Sequence, residues 1–215
     1  MKKGIAVLFA LALGVQIYAQ QKIDTLMVPY DSLMDYRVSV DGYIDVEDNE
    51  YPAAFRDPAT GITVHWGHDD SLIYIGMEAR GKGWLAIGFG SPVMSGSNMI
   101  IGFYADDSAG VVNHVGAGRL HRPPKGNENL IEDWEIDYDD ESNTVVMEFV
   151  YPLQWQGLTG TAVSGLLPEH LYDLILARNP RTISLAAKHA QKSHRVFALA
   201  PNPAAEPNKS QPENK

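Results

Sequence analysis

Gly83-Trp-Leu-Ala-Ile-Gly-Phe-Gly-Ser-Pro-Val-Met-Ser-Gly-Ser-Asn-Met-Ile-Ile-Gly-Phe-Tyr104 decides the reading of this 215-residue chain. Trp84–Phe89 alternates, with Leu85, Ile87 and Phe89 on one face and Trp84, Ala86 and Gly88 on the other, the period of a strand. A glycine-rich turn follows, and then a second apolar strand, Met99–Tyr104. The Gly and Ala face of the first strand is thin, which suits a close neighbour against that backbone. Met94 is unusual in such a turn. Turns favour Gly, Pro, Asn, Asp and Ser for backbone reasons, whereas methionine brings a long flexible stem and a soft thioether.

Outward from this hairpin, short β-type segments recur. Ile62–Trp66 places Ile62, Val64 and Trp66 on one face and Thr63 and His65 on the other; Gly67-His68-Asp69-Asp70 links it to Leu72–Glu78, with hairpin turn chemistry. Val111–Val115, Thr144–Tyr151, Tyr172–Ala177, Thr182–Ala187 and Val196–Leu199 read the same way. The pattern predicts an all-β protein, an immunoglobulin-like antiparallel β-sandwich of about 9–11 strands. At most one short helix is expected, at Leu167–Leu171, where Pro168 suits a first helical turn. No internal repeat is present.

The ends read differently. Lys2 and Lys3, the apolar run Ile5–Val15 and the small residue Ala19 describe a secretory signal peptide over residues 1–20. The run is shorter than the roughly 20 apolar residues of a membrane span. Residues 21–34 read as an N-terminal extension, 35–200 as the β-sandwich domain, and 201–215 as a Pro-rich tail with too little apolar surface to fold. The expected location is periplasmic or secreted. The chain has no cysteine, which excludes disulfides, thiolate metal sites, covalent c-type haem attachment and a cysteine lipid anchor. A formal charge of −10 argues against nucleic acid, which rewards clustered Lys and Arg.

Gly83–Phe89, then Met94-Ser-Gly96-Ser-Asn-Met99, the strand Ile100–Tyr104 and the acidic pair Asp106-Asp107 together resemble the DOMON family of exported β-sandwiches; Gly118-Arg119 through Arg122-Pro123 resembles a further block. The opening Val40-Asp41-Gly42-Tyr43-Ile44-Asp45, with Glu50-Tyr51, is similar to family-nine carbohydrate-binding modules. The resemblance covers roughly residues 35–200. It implies a non-covalent haem b domain that transfers electrons, with Met94 and a late histidine as axial ligands. His189 matches the family spacing ahead of Arg195, and His194, directly before Arg195, is the runner-up. A Met/His pair fills both axial positions of iron, so such a haem passes single electrons. The implied partner is a periplasmic or membrane redox protein. The alternative readings are a non-catalytic carbohydrate-binding module and an envelope protein-interaction domain.

The other chemistry-bearing residues carry weaker expectations. Trp84, Trp66, Phe89 and Phe103 suit a wall for a flat ring, a stacking face for a sugar, or simply a core. Arg119, Arg122 and Arg195 suit propionate carboxylates, since a guanidinium fork matches a carboxylate, or solvent. His65 with His68, and His114 with His121, have metal-like spacing without the three or four converging ligands of a zinc site. The acidic run Asp133, Glu135, Asp137, Asp139, Asp140 and Glu141 lacks the spacing of an EF-hand loop and reads as a solvated hairpin. No nucleophile elbow or phosphate loop is present, so no enzymatic activity is expected.

Overall fold

The computed structural model describes residues 24–125 and 129–205. The signal peptide expected over 1–20, the first residues of the extension and the tail beyond 205 lie outside the described residues.

Two β-sheets face each other. One has seven strands in the order β1 (Thr25–Val28), β12 (Gln191–Leu199), β11 (Tyr172–Asn179), β5 (Gly83–Phe89), β6 (Asn98–Ala105), β7 (Ser108–Ala117) and β8 (Leu120–Arg122). The other runs β2 (Ala53–Arg56), β3 (Thr63–His68), β4 (Leu72–Arg80), β10 (Thr144–Pro152) and β9 (Asp133–Asp139). Every pairing is antiparallel except that of β1 with β12. The expected sandwich is therefore present. The strands that the sequence did not name are β9, in the acidic run read as a solvated hairpin, and the short edge pieces β1, β2 and β8, of four, four and three residues.

Two local expectations fail. The one helix among the described residues is α1 (Met34–Arg37). At 167–171 the chain turns instead: Pro168 bridges to Leu199, and Glu169 takes a φ of 63°, which breaks helical geometry. Thr182–Ala187 is not a strand but part of the connection between β11 and β12.

Alternation builds the core. Leu85, Ile87 and Phe89 of β5 point between the sheets, where they meet Val64 and Trp66 of β3, Ile73, Ile75 and Met77 of β4, and Met147 and Phe149 of β10, all buried. Burying a side chain of this size stabilises the fold by roughly 1.5–3 kcal/mol each. Trp66 lies 4.9 Å from the Phe55 ring and 5.9 Å from Phe197.

The outer face of the five-stranded sheet is also covered. Residues 34–52 lie across it, and Met34, Ile44 and Tyr51 pack with Tyr74, Val146 and Val150. Gly67 and Gly76 make room for them: a Cβ there would come within 2.7 Å of Met34 Sδ and 2.8 Å of Ile44 Cδ1. Two buried carboxylates fix this cover. Glu50 accepts the Ser39 and Asp45 amides, each at 2.8 Å. Glu148 accepts the Gly42 amide at 2.9 Å and the Tyr51 hydroxyl at 2.8 Å. Burial, opposed by these donors, raises the Glu148 carboxyl to about 7.

Candidate functional site

The outer face of the seven-stranded sheet carries the residues singled out by the sequence. Strand register lays them out in rows. His114, Met99, Gly88, Ile175 and His194 form one row across β7, β6, β5, β11 and β12; Val112, Ile101, Ala86, Ala177 and Lys192 form the next, and Phe103, Trp84 and Asn179 a third. The small residues Gly88, Ala86 and Ala177 make the centre a shallow floor. Trp84, Ala86, Met99 and Ile101 are buried there, with Met94, Phe103, Val112, Ile175, Ala177 and Leu185 packed around them.

The connection 180–190 supplies the cover. Asn179 Nδ2 donates to the Lys188 carbonyl at 2.8 Å, the Ala190 amide donates to the Arg178 carbonyl at 2.9 Å, and the Leu185 carbonyl accepts His121 Nε2 at 2.9 Å. The segment thus leaves β11, straps the face towards β8 and returns to β12, with Leu185 pressed on the apolar floor.

Met94 is held by backbone geometry. Gly90 and Gly96 take φ of 83° and 81°, which glycine adopts without strain. The Met94 carbonyl accepts the Ser97 amide at 3.1 Å, the Gly96 amide donates to the Gly116 carbonyl and the Gly116 amide to the Ser97 carbonyl, each at 3.0 Å. A Cβ on Gly116 would lie 1.6 Å from the Met94 oxygen, so only glycine lets the turn seat on β7. The Met94 side chain then joins the floor.

His114 and His121 meet beside it. β7 and β8 pair so that His121 faces Gly116. Because Gly116 has no side chain, His114, two residues back on the same face, reaches across. The two Nδ1 atoms are 2.7 Å apart. Burial, with His121 adding to it, lowers the His114 imidazole to about 4. The sequence showed the spacing of this pair but not its convergence, which depends on the β7–β8 register; Gly116 and the Gly118 turn were the available signals.

The sequence-selected residues separate into groups. Met94, Trp84 and Phe103 share the floor, and among the described residues Trp84 Nε1 is buried with no hydrogen-bond partner. His189 sits where the strap rejoins the sheet, near the Trp84–Asn179 end, while Met94 lies beyond the Phe89–Asn98 end. Five residues of strand separate the two levels, about 17 Å. Burial and then Lys192 lower the His189 imidazole. His194 stands on the Gly88 row, exposed, with Nε2 2.7 Å from Asp173 Oδ1. Arg195 faces the other way, its Nη2 donating to the buried Asp57 at 2.8 Å. Arg119 and Arg122 are exposed near the β7–β8 turn, and Trp66 and Phe89 belong to the inter-sheet core. His65 pairs with Glu78 at 3.1 Å, whereas His68 bonds the Asp69 and Ala200 carbonyls. Asp139 accepts the Glu141 and Ser142 amides of its own turn. Among the described residues no group of three or more His, Asp or Glu converges.

With this geometry, comparison with solved structures is informative. The cytochrome b domain of pyranose dehydrogenase from Coprinopsis cinerea superposes with a TM-score of 0.50 at 13% identity, over 67% of this chain and 80% of that one. The chain shares the fold of that domain. A family 9 carbohydrate binding module from Caldicellulosiruptor kristjanssonii, in complex with cellotriose, gives 0.49 at 11% identity over 89% and 100% of the two chains. The cytochrome domain of cellobiose dehydrogenase from Myriococcum thermophilum gives 0.44 at 19% identity over 68% and 88%. No family model matches the chain, and the curated proteins give no match.

Proposed function

We propose that the chain is an exported DOMON-type electron-transfer domain that binds haem b non-covalently on the outer face of the seven-stranded sheet. The observation that carries this reading is the strapped apolar floor, with the Met94 thioether seated on it and the Trp84 indole N–H buried without an acceptor. An unpaired buried donor costs roughly 1–3 kcal/mol, a cost that a bound ligand with an acceptor relieves. The shared fold with a cytochrome b domain supports the reading.

The residues present suit the group in part: the apolar bed and the Met94 thioether are in place, while His189 stands about 17 Å from the Met94 level. Met94 offers the thioether, and Trp84, Ala86, Ile101 and Phe103 an apolar bed. His189 offers an imidazole from the strap, with His194 as the alternative. Leu185 now lies on the bed, so entry requires the strap to lift and to carry His189 towards Met94. When bound with both axial positions filled, haem supplies one-electron transfer; a periplasmic or membrane redox protein is the partner. Arg195, bonded to Asp57, is not assigned to a propionate; Arg119 and Arg122 remain free to take that role.

The test is spectroscopic. Protein purified with haem is expected to show a Soret band and a six-coordinate spectrum that Met94→Ala abolishes. His189→Ala and His194→Ala separate the two imidazoles. No Soret band, or a six-coordinate spectrum unchanged in Met94→Ala, removes the proposal.

Glycan binding is the second reading. Tyr36 and Tyr43 stand 87% and 68% exposed along the cover segment, aromatic surfaces with an apolar face and a polar tip. A glycan array probed with haem-free protein tests it, and an array without signal removes it.

A further inference from the structure

We propose that His114 and His121 form a copper(I) site at the β7–β8 corner of the strapped face, with the Met94 thioether as the adjoining soft donor. The Nδ1 atoms of the two rings already converge, 2.7 Å apart. The second ring is also oriented for ligation. The Leu185 carbonyl can only accept, so the 2.9 Å bond from His121 Nε2 puts the ring proton on Nε2 and leaves Nδ1 with a bare lone pair. A ligating histidine commonly donates its other N–H to a carbonyl in this way. His114 Nδ1–H then points at that lone pair. On metal binding the His114 proton moves from Nδ1 to Nε2, both rings stay neutral, and two Nδ1 lone pairs face the ion.

The geometry can accommodate this change. Two bonds of about 2.0 Å place the nitrogens roughly 3.3–4 Å apart, so the rings must part by about 1 Å. β8 has three residues and pairs only with β7, which makes its side of the pair the yielding one. Met99 is the register partner of His114, and Met94 Cγ lies 3.3 Å from where a Cβ would stand on Gly116, the register partner of His121.

The donor set selects the ion. The rings hydrogen-bond to each other and to the Leu185 carbonyl, and among the described residues no carboxylate is their partner. Two neutral imidazoles beside thioethers suit a soft monovalent ion, whereas magnesium, calcium and manganese prefer oxygen. A half-buried, carboxylate-free site also penalises a divalent charge more than a monovalent one.

The experiment uses haem-free protein, titrated anaerobically with copper(I) against a chromophoric chelator. One copper(I) per chain is expected. His114→Phe and His121→Phe should each weaken binding by about 10–100-fold, Met94→Leu by less, and His170→Ala, at an exposed histidine in the 167–171 turn, not at all. Circular dichroism confirms that each variant is folded, and His121→Gln serves if the Phe variant is not. Failure of the wild type to compete with the chelator, or wild-type affinity in a folded His121 variant, overturns the proposal. Because haem is absent throughout, failure of the haem reading leaves this result intact, and the converse also holds.

Discussion

Glu148 in β10 and Tyr51 in the cover segment, 97 residues apart in sequence, are joined by a 2.8 Å hydrogen bond from the Tyr51 hydroxyl to Glu148 Oε1. This bond fastens the cover to a sheet whose outer face would otherwise be bare, and it makes the fastening sensitive to pH.

Burial raises the Glu148 carboxyl from 4.5 to about 7 in the folded chain. The folded state therefore retains a proton that the unfolded state has released across this window. The associated stability is fully present below pH 4.5 and is lost as pH rises towards 7, by about 3 kcal/mol at 1.36 kcal/mol per unit. Urea midpoints should fall between pH 5 and pH 8, and Glu148→Gln should flatten that part of the profile. An equal slope in the variant would assign the effect elsewhere.

Asp57 is buried and its Oδ2 accepts Arg195, while its Oδ1 accepts the Ala59 and Thr60 amides. Arg195→Ala strands a buried carboxylate. Because the arginine side chain is 32% exposed, the expected loss is about 2–3 kcal/mol, below the 3–5 kcal/mol of a fully buried pair. Adding Asp57→Asn should recover part of it in a double-mutant cycle. Additive losses would show that the two groups are not coupled.

Gly116→Ala should displace the Met94 turn, since its Cβ would collide with a backbone oxygen that cannot rotate away. The expected cost is about 1–3 kcal/mol. Amide exchange should quicken at Ser97 and Gly96, which bond across this contact. Unchanged exchange there would refute the seating of the turn on β7.

Leu185→Ala should loosen the strap. Deleting most of a side chain half-buried on the Trp84–Ile101 floor should cost about 1 kcal/mol and raise binding of a hydrophobic dye, because the floor loses its lid. Dye binding equal to wild type would mean the floor is covered by other groups.

The Gly83–Tyr104 hairpin was legible because its apolar residues alternate and its turn is rich in glycine. At Gly88 its thin face is filled by neighbours within the sheet and turn, Ser97, Ile175 and Met99, while Leu185 of the strap packs on the cluster around it. The strap itself was misread: Thr182-Ile183-Ser184-Leu185 has strand composition, but it crosses the outer face of the sheet instead of joining an edge, and the contacts of Leu185 with the floor and with His121 decided its course. The 167–171 turn was misread because Pro168 suits a helix start as well as a bridge to Leu199. Arg195 looked like a surface cation until the fold brought Asp57 beside it from 138 residues away. The histidine pair needed cross-strand register, which no single segment encodes.

The five-stranded sheet ends on β9, where Asp133, Glu135, Asp137 and Asp139 recur at every second position. An unpaired strand edge is a template for a second chain. Here a like molecule approaching side by side meets a palisade of negative charge. The bordering strand therefore discourages fibrous self-association.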